Sequence, residues 1–510
     1  MFERGSIFPP VEHKKRIERY RENKKLFVGE HYDVFERVQN LPSDSVYIST
    51  NLAGLICKKS ADFLFGETPT FSAGKKSDSV EQERLDKWVS DNNLPMLLEK
   101  SATGNAFRGD SFFKIRWGQK WGGKVPEEYD PFRVIIEVQN PKYVFPETAE
   151  TDASMIEAYH IAYPTIVKGR KGEDWILHVE SHYPNKIVYR KFEMTPFNGI
   201  LDEVTEWKII GEIKSAYREV ETGVPFPLVV HVPNYATDDS WEGIDDLSEH
   251  KPLFDELNRR LTAIATILDK HADPAIAVPT GVLGEDEYGN PTFIVGRDKV
   301  FEVMGKDDVI PQYITWNGQL QAAFDEIDRI TEMILVNAEI PAVALGKGDS
   351  GTSGSSGLAI KFRMNSLLAK INRKRQYYDK GLKELFLICQ LLEKAKLGSK
   401  ANYELFDVKI HFKDGLPKDD AELANIMNVR TGGKPTISQK TALMLLDDLT
   451  EEQAEAELQR MEEEADKENE KTESMFANPS IFQTPLKNAE DEAEDVENQN
   501  NVNNEGNGDE

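Results

Sequence analysis

The pattern of apolar and polar positions divides the chain into a mixed first half and a mostly helical second half. Residues 51–66 form an apolar run with helical spacing, and a second helix is predicted over residues 80–108. Between residues 111 and 231, short alternating runs are separated by Gly, Pro and Asn, which predicts antiparallel strands and hairpins. The clearest turn falls at Pro184 and Asn185. Helices placed around such a sheet predict an α+β fold.

Two long amphipathic helices are predicted after the strands. Apolar residues recur at spacings of three and four over residues 245–271, which predicts a helix about 40 Å long at 1.5 Å per residue. A second such helix starts near Gln319 and ends at Pro341, and about 45 residues with short strand-like runs lie between the two. We expect the helices to form a stalk with a small tip. The apolar positions expected to pack them together are Leu253, Leu257, Leu261, Ile264, Leu268, Phe324, Ile327 and Ile334.

A Gly/Ser-rich segment and a third long helix follow. Residues 342–357 contain five Gly and four Ser, which predicts a mobile loop. The helix predicted from Leu358 to about Lys396 opens with six basic residues and no acidic one: Lys361, Arg363, Lys370, Arg373, Lys374 and Arg375. These residues could contact nucleic-acid phosphates, or they could pair with acidic helices such as the preceding one. We favour ion pairs within one chain or between copies of it.

The C-terminal part of the sequence becomes steadily more acidic. One strand is predicted over residues 403–412, short helices over residues 416–467, and a disordered tail over about the last thirty residues. The formal charge is −27, of which residues 451–510 contribute −16, with 20 acidic and 4 basic residues. A protein that grips DNA by its phosphates carries a basic surface, so the chain as a whole does not belong to that class.

Composition also excludes several kinds of site. Cys57 and Cys389, the only cysteines, are far apart in apolar surroundings, so we expect two buried apolar residues and no disulfide framework. No window approaches the run of about 18 apolar residues that a membrane span needs, so no membrane partner is expected. We therefore expect a protein that is cytosolic or assembled from the cytosol.

The loop over residues 342–357 could be mistaken for a nucleotide-binding loop. A P-loop has the pattern G-x-x-x-x-G-K-[ST], but Pro341 occupies the first Gly position ahead of Gly346 and Lys347. Gly348 stands where Ser or Thr is required. Nucleotide binding is therefore disfavoured.

A metal site is conceivable on one predicted strand, where His178, Glu180 and His182 would share a face. The opposite face is apolar, so we interpret this row as the solvated side of a half-buried strand. No Ser/His/Asp or Cys/His constellation can be assembled from the sequence. No enzymatic activity, metal or cofactor is expected.

Four phrases give the chain a resemblance to the portal, or head-to-tail connector, family of long-tailed bacteriophages. An Asn-led apolar helix runs into Gly-x-x-Pro at residues 51–69, and SSGLAIKFRMNSLLAK at residues 355–370 resembles the start of the helix after the family's channel loop. Between them, PFPLVVHVPN and GIDDLSEHKPLFDELN resemble a strand-to-stalk junction, although Ile244 stands where Ser is more usual. The matching junction positions are Pro227, Val229, Asn234, Gly243, Asp245, Asp246, Leu247, Leu253 and Asn258. The likeness covers about residues 45–415.

This resemblance implies a portal-like fold with an α/β wing, a two-helix stem, a small α/β clip and a helical crown. The implied parts are an N-terminal arm (1–26), wing (27–244 and 358–413), stem helices (245–272 and 317–340), clip (273–316), tunnel loop (341–357), crown helices (414–476) and disordered acidic tail (477–510). The loop residues expected to face DNA are Lys347, Gly348, Asp349, Ser350, Gly351, Ser353, Gly354 and Ser355.

The resemblance also implies a function and partners. The chain would be a structural subunit of a ring of about twelve copies at one capsid vertex, through which double-stranded DNA enters and leaves. Implied partners are the terminase that packages DNA, head-completion or tail adaptor proteins, and the major capsid and scaffold proteins. The place would be the virion, and the host cytoplasm during assembly. Alternatives are another head-assembly protein, adaptor or scaffold-like, or a DNA-processing enzyme.

Overall fold

The computed structural model confirms an α+β protein. It describes residues 1–35, 47–74, 79–169, 172–198, 206–272, 320–346, 361–413, 420–446 and 451–476, with five two-residue pieces between 276 and 313. The chain divides into two compact units, Met1–Pro417 and Lys418–Glu510. None of the helices described could span a membrane.

The described residues of the first unit form seven long helices. They are α1 (Lys14–Val28), α2 (Leu52–Phe65), α3 (Val80–Asp91), α4 (Leu94–Arg108), α5 (Lys251–Ala272), α6 (Gln321–Asn337) and α7 (Asn365–Leu397). The single helix predicted over residues 80–108 is wrong, because Asn93 adopts a left-handed backbone with φ of 47° between α3 and α4. Helix α2 begins where predicted, since the side chain of Asn51 accepts a hydrogen bond from the Gly54 amide at 2.8 Å.

The strands form one large and one small antiparallel sheet. The large sheet has the order β1-β9-β8-β7-β6-β5, with β10 beside β8. Its strands are β1 (Ile7–Phe8), β5 (Val144–Ala149), β6 (Asp152–Gly169), β7 (Gly172–Tyr183), β8 (Lys186–Asn198), β9 (Glu206–Glu212) and β10 (Arg218–Glu221). The small sheet has the order β11-β3-β4, from Val229–Pro233, Asp110–Gly118 and Arg133–Gln139. The predicted turn between β7 and β8 is confirmed, with Asn185 at φ of 64°.

Short strand pairs complete the first unit. Strand β2 (Thr70–Ser72) pairs with β16 (Lys409–His411), so only the end of the strand predicted over residues 403–412 forms a ladder. Between α5 and α6, β12 (Ile276–Ala277) pairs with β15 (Gln312–Tyr313), and β13 (Gly284–Glu285) pairs with β14 (Pro291–Thr292).

The main core lies where α2, α4 and α7 meet the small sheet. Leu98, Phe113 and Leu382 are each fully buried there. Cys57 and Cys389 are buried in the same core and unbonded, as predicted. A second core fills one face of the large sheet around Leu177 and Phe192. The start of α5 and the end of α6 also pack on the main core.

The part of the second unit that the structure describes consists of three helices with few buried side chains. They are α8 (Asp420–Thr431), α9 (Gln439–Leu446) and α10 (Glu451–Phe476). Among the side chains described in this unit, only those of Ala442 and Ala454 are buried. Ile426, Val429, Leu445 and Met461 are exposed apolar residues. The predicted acidic tail, residues 477–510, lies outside the described residues.

Candidate functional site

The segment between β11 and α5 is held by the carboxylate of Asp245. One oxygen accepts the backbone N–H groups of Leu247 at 2.9 Å and Ser248 at 2.7 Å, and the other accepts the Ser248 hydroxyl at 2.7 Å. These bonds satisfy donors that the first turn of a helix leaves free. The turn at Ser248–His250 is therefore a 3-10 turn, and α5 begins at Lys251 rather than at residue 245 as predicted.

Asp246, the next residue, is the centre of a buried ionic cluster. Its carboxylate receives the ammonium of Lys374 at 2.5 Å and that of Lys370 at 3.4 Å. It also accepts the Asn234 side-chain amide at 3.0 Å, while Lys374 donates to the Ser60 hydroxyl at 2.6 Å. We call these five residues the junction cluster, because they connect α2 and α7 to the segment between β11 and α5.

Burial and charge act against each other in the junction cluster. Burial alone would raise the pKa of Asp246, but the ammonium groups of Lys370 and Lys374 outweigh it and lower that pKa. Burial lowers the pKa of Lys374 to about 8, against the pull of Asp246. Asp246 and Lys374 are therefore both charged at neutral pH. Removing one partner from such a pair costs about 3–5 kcal/mol, because it leaves a buried charge uncompensated.

The other basic residues at the start of the third long helix are placed differently. Arg373 pairs with Glu339 at the protein surface, and Arg375 donates to the backbone carbonyls of Phe63 and Lys413. Lys361 and Arg363 are exposed and flank the exposed ring of Phe362. The acidic partners of Lys370, Lys374 and Arg373 are thus Asp246 and Glu339, not the carboxylates in the middle of the second stalk helix. Lys361 and Arg363 are the remaining exposed cations of the group.

Gly109 and Gly243 allow the end of α4 to lie close to the loop that precedes α5. A Cβ added to Gly109 would lie 2.3 Å from the carbonyl oxygen of Gly243, and Gly109 has φ of +91°. The neighbouring carboxylate of Asp110 is fully buried and accepts the Gly243 amide and the His231 ring, each at 2.8 Å. It also accepts the hydroxyl of Tyr20. The end of α4 and the loop that leads into α5 are therefore joined backbone to backbone.

One face of α5 is buried although it is polar. The Asn258 side-chain oxygen accepts the Thr50 amide at 3.1 Å, and the Thr262 hydroxyl accepts the Ile48 amide at 3.0 Å. Asn258 is 1% exposed and Thr262 3% exposed. They thus anchor the segment that precedes α2 along the first three turns of α5.

The hydrogen bonds of Asn258 also define the protonation state of His31. Because the Asn258 oxygen must accept from Thr50, its NH₂ group is the donor toward His31 Nδ1 at 2.9 Å. That ring nitrogen must then be an acceptor, so the imidazole is neutral. Burial lowers the pKa of His31 in the same sense.

The predicted packing positions of the two stalk helices fall into three groups. Leu257, Ile264 and Ile334 are buried, and Leu253, Leu261 and Ile327 are half-buried against the core. Leu268 and Phe324 are 49% and 44% exposed in the single chain. Ile330, on the same apolar stripe as Ile327 and Ile334, is buried as well, and one buried residue, Phe254, was missed. An ion pair between Arg260 and Glu326 at 2.9 Å links the helices.

The His178, Glu180 and His182 row on β7 is not the solvated face that we predicted. His182 is fully buried, with its ring 3.1 Å from Glu180, which also pairs with Lys114 at 2.7 Å. His178 instead meets the Thr165 hydroxyl at 2.9 Å. Within the described part of the chain, no group of three or more His, Cys, Asp or Glu side chains is placed to hold a metal ion.

The predicted channel-loop residues Lys347–Ser355 lie outside the described residues. The described chain before them ends in the 3-10 turn Ala342–Leu345 and Gly346, whose φ is +71°.

One known protein family matches most of the chain. The family model of phage portal proteins, SPP1 Gp6-like, matches residues 10–471. The chain belongs to this family. The match extends beyond residues 45–415, where the sequence phrases resembled portal proteins, and includes α1 and most of α10. No curated protein matches the chain.

Membership in the portal family fits a site whose residues make structural contacts. Portal proteins form a structural, non-enzymatic family. Of the junction positions that carried the resemblance, Asn234, Gly243, Asp245, Asp246 and Asn258 all belong to the buried contacts described above. In this portal protein those residues connect the sheet-containing body to the paired helices.

Proposed function

We propose that the chain is the subunit of a closed ring at one capsid vertex, through which double-stranded DNA enters during packaging and leaves during ejection. The observation that carries the proposal is the portal family match over residues 10–471. The junction cluster adds a physical reason, because it ties the paired helices firmly to the body. A conduit that bears load between these parts needs such a connection.

The portal parts would follow the order along the chain. The body built on the two sheets and α7 would be the wing, α5 and α6 the stem, residues 273–316 the clip, residues 341–357 the tunnel loop and α8–α10 the crown. The scarcity of buried side chains in α8–α10 supports the last assignment. Helices that bury so little alone gain stability from neighbouring copies.

Ring closure follows from identical contacts between copies whose rotation adds up to a full turn. About twelve copies at −27 each would carry about −320. Such a field disfavours tight binding of phosphates, so DNA in the channel would stay mobile. The force for packaging would come from a terminase docked at the clip. Tail adaptor, capsid and scaffold proteins would be the other partners in the virion and in the host cytoplasm.

The size of the purified protein separates this proposal from its alternatives. Light scattering and negative-stain microscopy should give a ring of about twelve chains with a central channel. A stable monomer that cleaves or modifies DNA would favour the processing enzyme. An open filament or a short oligomer without a channel would favour another head-assembly protein.

A DNA-packaging assay tests the tunnel-loop assignment separately. Replacing Gly348, Gly351 and Gly354 by Pro would fix φ near −65° at three places. Rings should still form, and procapsids should bind terminase and hydrolyse ATP but retain little full-length genome. The same three positions changed to Ser form the matched control, which adds side chains without fixing φ and should package DNA. Full packaging by the Pro variant would refute the tunnel-loop assignment, and saturable ATP binding lost in Lys347→Ala would support a nucleotide-binding loop instead.

A further inference from the structure

Two adjoining cavities form a groove beside α1 and α4. Their volumes are about 660 and 570 Å³, and both are lined by Lys24, Arg108 and Asn140. The first cavity extends along the charged face of α1. The second has an apolar wall that includes Phe27, Met96 and Phe107, in which Met96 is 55% exposed. The groove thus has a charged half and an apolar half that meet at Lys24 and Arg108.

The two cations at this meeting point rest on a pair of aromatic rings. Phe27 and Phe107 are stacked with centroids 4.9 Å apart and an interplanar angle of 21°. The Lys24 ammonium lies 5.0 Å from one centroid and 5.4 Å from the other, and the Arg108 guanidinium lies 4.2 Å from the Phe107 centroid. Ring faces attract cations, so this stack holds both groups at the groove floor.

Neither cation has a carboxylate partner among the residues that the structure describes. Three acidic residues on the groove pair with other cations, and two more, Glu99 and Asp110, line the second cavity without an ion pair to Lys24 or Arg108. Glu18 lies 3.8 Å from Arg21, Asp33 lies 3.5 Å from Lys25, and Glu22 lies 2.6 Å from Lys251. The positive charge of Lys24 and Arg108 is therefore left for a ligand.

The surroundings of Lys24 and Arg108 make their positive charges energetically unfavourable unless an anion binds. Burial lowers the pKa of Arg108 to about 10, and burial and the repulsion from Arg108 lower the pKa of Lys24. A third cation, Lys142, lines the first cavity, and burial and repulsion from Arg21 lower its pKa. A bound carboxylate would relieve both the repulsion and the loss of hydration.

We propose that this groove binds an extended acidic protein segment, whose carboxylates contact Lys24 and Arg108 and whose apolar side chain enters the half lined by Phe27, Met96 and Phe107. A nucleic acid fits less well. Carboxylates of Glu18, Glu22 and Asp33 stand on the same groove, and the chain carries −27. They would repel the regular phosphates of a duplex, whereas a peptide can space its charges between them. The inference is independent of the ring and its channel.

Fluorescence anisotropy on the full-length protein tests the site, with a labelled twelve-residue peptide of glutamates around one central phenylalanine. Lys24→Gln and Arg108→Gln should each weaken binding at least about tenfold, equivalent to about 1.4 kcal/mol. Lys24→Arg should retain binding. The control Lys58→Gln removes one exposed positive charge from α2, outside the groove, and should bind like the parent. Thermal melting of each variant shows that the fold is intact.

Comparison with a second peptide tests the apolar half of the groove. Met96→Ala should weaken binding of the phenylalanine peptide but not of an all-glutamate peptide of the same length. Equal binding of the first peptide by the parent, Lys24→Gln and Arg108→Gln would overturn the proposal, as would the absence of any binding. A duplex DNA or inorganic phosphate that binds more tightly than the peptide, and loses binding in the same two variants, would reassign the groove to phosphates.

Discussion

The two ends of helix α5 carry the same apolar periodicity but have different surroundings. Near its start, Phe254 and Leu257 are 1% and 2% exposed, and even the polar Asn258 is buried. Toward the other end, Leu268 is 49% exposed, and Phe324 on the partner helix is 44% exposed. The start is covered by the main core and by the segment before α2. An apolar stripe therefore predicts the helix. Which part of the stripe is buried in a single subunit depends on the other segments that pack against it.

The largest effect should come from breaking the junction cluster. Asp246→Ala leaves the ammonium groups of Lys370 and Lys374 without their carboxylate, so we expect a loss of about 3–5 kcal/mol in the free energy of unfolding. Chemical denaturation of the full chain measures it. Glu339→Ala is the matched control, because it removes a carboxylate from the exposed Arg373 pair and should cost less than about 1 kcal/mol.

A triple variant tests the reason for this loss. Asp246→Leu combined with Lys370→Met and Lys374→Met removes all three buried charges, and it should recover much of the stability lost in Asp246→Ala. If the triple variant is no more stable than Asp246→Ala, the loss comes from packing and hydrogen bonds rather than from uncompensated charge.

The next effect compares the two ends of α5 directly. Leu257→Ala removes a buried side chain and should cost about 2–5 kcal/mol, whereas Leu268→Ala at an exposed position should cost less than about 0.5 kcal/mol in the same denaturation experiment. Under the ring proposal, Leu268→Ala should reduce ring formation more than it reduces stability. Similar losses for both variants would show that the far end of the pair is as well packed as its start.

Periodicity and local signals predicted most of the elements, and the errors have physical causes. The Gly, Pro and Asn positions located the hairpins, but Asn93 divided the predicted helix at residues 80–108 by adopting a left-handed backbone. The six basic residues of the third helix were recognised, yet Asp246, the partner of Lys370 and Lys374, is more than 120 residues away in sequence. Pairing over such a distance depends on the tertiary fold.

The site itself was only partly predictable. The resemblance selected Asp246 and Asn258, but not what they contact. Asn258 is polar, and polarity alone suggests the exposed side of a helix. Its burial depends on the backbone amide of Thr50, which no side-chain pattern reports. The prediction that His178, Glu180 and His182 form a solvated face was wrong for a similar reason, because Glu180 pairs with Lys114 on another strand.

Acid should weaken the start of α5. Burial lowers the pKa of His31 and of His250, so both are neutral in the folded chain, while the unfolded chain takes up protons near pH 6.5. Their contribution to stability is therefore complete above pH 6.5 and decreases as the pH falls below it, by at most about 1.4 kcal/mol per pH unit for each histidine. Denaturation at pH 7.5 and 5.5 should show a smaller decrease for His31→Gln than for the parent. A decrease in His31→Gln as large as that of the parent would exclude His31 as a source of the effect.

The smallest effect should come from the ion pair that joins α5 to α6. Arg260 and Glu326 lie 2.9 Å apart, as close as many buried pairs, but their side chains are 38% and 42% exposed. Water screens the attraction between them, and ordering two long side chains offsets much of the rest, so a double-mutant cycle with Arg260→Ala and Glu326→Ala should give about 0–1 kcal/mol. That coupling should decrease further in 0.5 M salt, whereas the cost of Asp246→Ala should change little because the junction cluster is shielded from solvent. A coupling above about 2 kcal/mol would mean that the helix pair is held by its charges rather than by the packing of Leu257 and Ile334 at its base.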